Sequence, residues 1–136
     1  MMNVNDFIRW TISLICAVAG FFFGSLDGLI LALLAFMALD FVTGLIVGIV
    51  KKKLSSEICF DGLLKKGLIL IIVSIGHILD TQIFGGESSV CRSAVIGFYL
   101  ANEGLSVLEN VGMLGMPLPD KLRKTLEQLR NDNNKG

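Results

Sequence analysis

Asp40, His77, Asp80, Glu103 and Glu109 stand inside stretches of otherwise apolar sequence. A carboxylate or imidazole at membrane depth is costly, so each needs a partner, water or a task. In the last of these stretches Asn102, Glu103, Ser106, Glu109 and Asn110 recur at i, i+1, i+4, i+7 and i+8, which lines them along one helix face. A stripe with two carboxylates is poorly suited to lipid; it faces other helices, water, or first one and then the other. His77 and Asp80 are three apart and share a face, the parts of a hydrogen-bonded pair, a pairing across helices or a proton relay. Asp40, Gly44 and Gly48 follow at i, i+4 and i+8, and glycines at that spacing let another backbone approach closely. Asp40 itself has two readings of similar weight: a partner for a cation or hydroxyl on another helix, or part of an aqueous path.

Other chemistries find no support. The single histidine lies in an apolar run, and no HExxH or Cys/His cluster offers metal ligands, so neither a metal nor another cofactor is expected. There is no GxSxG, P-loop or GxGxxG in a strand–helix setting, and the expectation is a protein that is not an enzyme. No basic–aromatic surface points to nucleic acid. Cys16, Cys59 and Cys91 form no CxxC pair and read as unpaired small hydrophobes.

The elements that must carry these residues are apolar helices. The chain has 136 residues, 53% hydrophobic and 18% charged, with a mean hydropathy of +0.71. Soluble domains carry about a quarter charged residues. Leu29 to Val50 is an apolar run with a single ionisable group, Asp40, and stops at Lys51-Lys52-Lys53. At about 1.5 Å per residue such a run crosses a hydrocarbon core of roughly 30 Å. The pattern predicts an all-α integral membrane protein with about four transmembrane helices, spans about 7–23, 29–50, 67–84 and 93–113, within a membrane domain of residues 1–115. Ala17-Val18-Ala19 resembles a signal-peptide cleavage site, but the apolar run continues past it through Phe23.

Basic residues set the orientation. With four spans, all of the 12 lysines and arginines except Arg92 fall on one side. The positive-inside rule then puts both termini in the cytoplasm. Ser55-Ser56-Glu57 predicts the start of a short interfacial helix leading into the third span. Lys51, Lys52 and Lys53 lie at the membrane surface in this reading, and Lys65 and Lys66 snorkel to the headgroups. After Pro117-Leu118-Pro119, residues 116–136 form a cytoplasmic tail. Leu122, Leu126 and Leu129 with Lys121, Arg123, Lys124 and Arg130 predict a basic amphipathic helix, suited to an anionic inner leaflet or to solvent and self-association. Residues 131–136 are expected to be disordered.

Two stretches together resemble the toxin-secretion/phage-lysis holin family. One joins Leu39-Asp40-Phe41-Val42-Thr43-Gly44 to Lys51-Lys52-Lys53-Leu54-Ser55-Ser56 and Gly62-Leu63-Leu64-Lys65-Lys66. The other runs from Tyr99 through Asn102-Glu103-Gly104-Leu105-Ser106-Val107-Leu108-Glu109-Asn110 to Gly115-Met116-Pro117-Leu118-Pro119 and Lys121-Leu122. The joined pattern D-x-x-T-G, E-G-x-S-x-x-E-N and G-x-P-x-P is specific where each piece alone is weak. The resemblance implies a bacteriophage holin in the host bacterial cytoplasmic (inner) membrane. Such a protein accumulates, forms a homo-oligomer and opens pores, letting an endolysin through to cause host cell lysis, or assisting toxin secretion. The endolysin would be a functional partner without necessary direct contact. Met1 and Met2 are adjacent with no charge between them, so alternative starts would not give a charge-distinguished inhibitor. The competing reading is an ion channel or small-solute permease component built on His77, Asp80 and Glu103; a third is a non-conducting membrane scaffold.

Overall fold

A computed structural model describes residues 1–135, with the backbone alone for Asn133. The described residues form α1 (Val4–Phe23), α2 (Gly28–Val50), α3 (Ser56–Ile78), a π-helical turn (Leu79–Ile83), α4 (Val90–Met113) and α5 (Asp120–Asn134), with no strand among them. The all-α expectation holds. Among the described residues α1 and α2 are long and apolar enough to cross a bilayer. α3 and α4 match them in length but are more polar, and α4 buries Arg92 and Glu103.

Several boundaries differ from those read in the sequence. Ser55 caps α3, its hydroxyl accepting from the Ile58 N–H at 3.2 Å. That helix then runs unbroken to Ile78, so the separate interfacial helix does not exist. The reason is local: the stretch holds no proline, and Gly62 and Gly67 cost only about 1 kcal/mol each in a helix. The third segment ends in the π turn, and α4 begins at Val90, three residues before the expected 93. The tail helix continues through Asn134, so residues 131–134 are helical; Gly136 lies outside the described residues.

α2 and α4 stop in the same way. Lys53 N–H reaches Gly48 O and Lys52 N–H reaches Ile49 O; Met116 N–H reaches Val111 O and Gly115 N–H reaches Gly112 O. Both are six-to-one and five-to-two closures that need one left-handed residue. Gly115 fills that place at φ 80°, whereas Lys52 takes it at φ 54°. A lysine there is strained by about 1 kcal/mol, but it puts a cation at the negative end of the helix dipole.

α4 is the central helix, in contact with α2, α3 and α5, while α1 packs mainly on α3. α1 buries none of its residues; Phe7, Ile8, Leu14 and Ile15 all point outward, as lipid-facing side chains do. The bundle of α2, α3 and α4 has two halves. Near the α1–α2 and α3–α4 turns, Ile30, Leu33, Met37, Ile69, Val73 and Ile96 close an apolar core. Toward the other ends of the same helices, polar side chains replace it. α5 folds back along α4, where a Cβ on Gly104 would lie 3.0 Å from both Leu126 Cδ1 and Phe36 Cε2.

Candidate functional site: an ion triad between three helices

In the polar half, Lys66 on α3 reaches across to both neighbours. Its Nζ donates to Asp40 Oδ2 at 2.7 Å and to Glu103 Oε2 at 2.6 Å. The three side chains are only 14%, 17% and 10% exposed. Asn110 completes the cluster, its Nδ2 donating to Asp40 Oδ1 at 3.2 Å and to Thr43 Oγ1 at 3.0 Å. Thr43 in turn donates to Leu39 O at 2.8 Å. One cation thus serves two carboxylates, leaving a formal excess of one negative charge inside the bundle. Desolvating three charges costs several kcal/mol each, which mutual pairing offsets only while all three stay together.

Lys66 corrects the sequence reading: it is a half-buried ion partner, not a snorkelling surface residue. It shares a helix face with Ile69 and Val73, at i+3 and i+7, so its stem lies on the packed side of α3 while Lys65 is exposed. Unpartnered carboxylates in two other apolar runs were the signal that such a cation was required. Lys51, Lys52 and Lys53 are exposed at the end of α2, and Lys121, Arg123 and Lys124 on α5 are exposed, with Arg130 half-buried. Leu126 packs toward α4, while Leu122 stays 46% exposed.

The α4 stripe is divided. Glu103 is buried, Asn102, Ser106 and Asn110 are half-buried, and Glu109 is exposed. The glycines on α2 do not meet another helix's backbone. A Cβ on Gly44 would lie 3.7 Å from the Asn110 side chain, and one on Gly48 3.0 Å from Leu54 in the turn just beyond α2. They border a cavity of about 420 Å³ between α2, α3 and α4, which also reaches Lys66, Glu103 and Ser106.

A second cluster fastens the opposite end. The guanidinium of Arg92, 4% exposed, donates to Phe23 O at 2.7 Å and Ser25 O at 3.0 Å. It also grips the Asp27 carboxylate at 2.7 and 3.2 Å. Asp27 simultaneously caps α2 through the Ile30 N–H, and the adjacent Arg92 side chain holds its carboxyl below the usual aspartate range. Asp80, turned inward by the π turn, accepts from the Cys91 N–H at 3.0 Å and the Arg92 N–H at 2.8 Å. It supplies the cap that Ser89 does not. His77 and Asp80 are therefore not a hydrogen-bonded pair: Asp80 is spent on α4, and His77 lies against the α1–α2 turn. A Cβ on Gly24, at φ 78°, would sit 2.9 Å from the imidazole, so glycine is required there twice over. Gly20 and Gly28, its companions in the same spacing, face open space. Arg92 and Asp27 were not singled out from the sequence. The signal was the solitary basic residue on its side and an aspartate just before an apolar helix.

Among the described residues every buried side-chain nitrogen and oxygen has a partner. No three His, Cys, Asp or Glu side chains among them converge as a metal site requires.

The triad and its neighbours come from the two motif stretches noted in the sequence: Asp40 and Thr43 from one, Glu103 and Asn110 from the other. Comparison with known proteins agrees. The family model described as the Bacteriophage holin family matches residues 17–131. This chain belongs to the bacteriophage holin family. Among its relatives is an uncharacterized 14.9 kDa protein from the nagH 3' region of Clostridium perfringens, 39% identical over 96% of this chain and 98% of the relative. The uncharacterized Listeria innocua protein Lin0175 is 41% identical over 81% of this chain and 77% of its own. The uncharacterized Bacillus subtilis protein YtkC is 34% identical over 85% and 84%. No solved structure matches. Family membership and the two apolar helices make this holin-family chain a membrane protein.

Proposed function

We propose that the protein is a phage-type holin that homo-oligomerises in the cytoplasmic membrane and opens lesions through which an endolysin or a toxin passes. In this reading α1 to α4 all span, and both termini are cytoplasmic. The observation that carries the reading is the Lys66–Asp40–Glu103 triad. In a single protomer it holds Glu103 inward against Lys66, leaving Glu109 at the surface, which lets the protein accumulate harmlessly. Above a critical surface density, protomers exchange these contacts for intermolecular ones, and the carboxylates meet water at the lesion. Switching between two such packings needs a bias of only a few kcal/mol. The excess negative charge within the triad supplies part of that bias, since it is better solvated in water than in the bundle.

The test is controlled expression in bacteria with a cytoplasmic endolysin, following turbidity, membrane potential and release of a cytoplasmic reporter enzyme. The expected result is a delay, then abrupt loss of potential with reporter release. Cells that stay alive with altered ion or solute flux would indicate a permease instead, and an intact potential would indicate a scaffold.

A further inference from the structure

We infer that the cleft between α2 and α3 is a binding site for one anionic phospholipid. These helices are consecutive in sequence yet barely touch, because each packs against α4 instead. The space left between them is the cavity of about 420 Å³. Its walls combine two chemistries. Gly44, Gly48, Ile58 and Gly62 offer a smooth apolar track, and Lys53 and Lys65 line the same cavity from the α2 end and from α3. Both lysines are exposed, and neither takes part in any of the ion pairs found among the described residues. Lys66 is tied to Asp40 and Glu103 deeper in, and Lys53 and Lys65 outweigh the one negative charge that triad has in excess, so the lining is net positive toward its outer end.

That arrangement fits an amphiphile with an anionic head. Lysine stems lie along apolar surface while their ammonium groups meet phosphate near the headgroup layer. Basic pockets between membrane helices accept acidic lipid heads for this reason. A helix from a second copy fits less well. It would cover two unpaired cations without neutralising them. The bound lipid fills the gap between α2 and α3 and joins the triad's outer wall to the surrounding membrane.

The experiment uses the full chain purified from mixed phosphatidylglycerol and phosphatidylcholine membranes, with retained lipids counted by native mass spectrometry. The wild type is expected to keep a single phosphatidylglycerol per protomer in preference to phosphatidylcholine. The double variant Lys53→Gln/Lys65→Gln should lose that retention several-fold. Lys51→Gln/Lys52→Gln, with the same charge change outside the cavity, should keep it. Equal retention of both lipids by the wild type would overturn the inference, as would equal loss in the two double variants, which indicates diffuse surface attraction. Displacement by millimolar inorganic phosphate would reassign the cleft to a free anion. Ready oxidative cross-linking of two copies through Cys59, which lines the cleft, would reassign it to a second protomer. The inference goes beyond lesion formation and is read on purified protein, so either reading can fail without the other.

Discussion

Arg92, buried, and Lys66, half-buried, are both cations placed where three segments of the bundle meet, but they are held differently. Arg92 bonds to two backbone carbonyls and to a carboxylate that is itself fixed as a helix cap. Its own N–H joins Asp80, so the α1–α2 turn, the π turn and the start of α4 are fastened as one piece. Lys66 bonds only to side chains, on an open cavity, with one charge too few to neutralise its partners. A guanidinium in a rigid fork fixes geometry, whereas an ammonium on a flexible stem can change partners. The Arg92 end is built to stay closed, and the Lys66 end is built to be exchanged.

The comparison breaks first at Arg92. Replacing it with methionine should remove four hydrogen bonds and cost about 3 kcal/mol, toward the lower end for a buried pair because Asp27 is partly open to water. The measurement is thermal unfolding in detergent. Arg92→Lys should rescue little, since an ammonium cannot span the same acceptors. Wild-type stability in either variant would mean that the turn end is not fastened by this residue.

The next effect should be on timing rather than stability. Glu103→Gln leaves Lys66 paired one-to-one with Asp40, removing the excess charge, so killing should be delayed at matched protein levels. Glu109→Gln, on an exposed position, should trigger as the wild type does. Equal delay in both would restore the undivided stripe expected from sequence.

A smaller effect follows from pH. Folding lowers the Asp27 pKa below its ordinary 3.8 because Arg92 bonds the carboxylate. The unfolded chain therefore binds that proton more readily, and the contribution is fully present above the ordinary value and lost as pH falls through the lowered one. An acid titration of unfolding should show this slope in the wild type and not in Asp27→Asn.

The smallest change is expected from neutralising Lys121, Arg123, Lys124 and Arg130 together. If they hold α5 at an anionic leaflet, each contributes about 1 kcal/mol, and killing should shift in time without being abolished. Complete loss of lysis would make the tail part of the assembly.

Legibility in the sequence followed the range of the interactions. The apolar runs and the prolines at 117 and 119 made α1, α2, α4 and α5 readable in approximate extent, whereas Ser55, read as opening a separate interfacial helix, caps a single α3 that runs from Ser56 to Ile78. The stop after α2 was marked by three lysines, though not the left-handed lysine that forms it. What escaped were pairings across the bundle. Lys66 looked like its neighbour Lys65, and only a three-helix packing distinguishes them. Asp80 looked like a partner for His77, because nothing local reveals that a π turn rotates it toward the N-terminus of α4. The family motifs contained Asp40, Lys66, Glu103 and Asn110 without revealing that Lys66 is the cation between the two carboxylates.

The central claim is that Lys66 stabilises the shielded packing of Asp40 and Glu103, and that lesion opening hydrates them. Lys66→Met keeps the stem's bulk and leaves a buried and a half-buried carboxylate without a cation. The deciding measurement is the time of membrane-potential collapse at matched membrane protein levels, compared with the same variant also carrying Asp40→Asn and Glu103→Gln. The account predicts early collapse for Lys66→Met and a delay beyond wild type for the neutral triple variant. Collapse of both at the wild-type time, or later collapse in Lys66→Met, would contradict it.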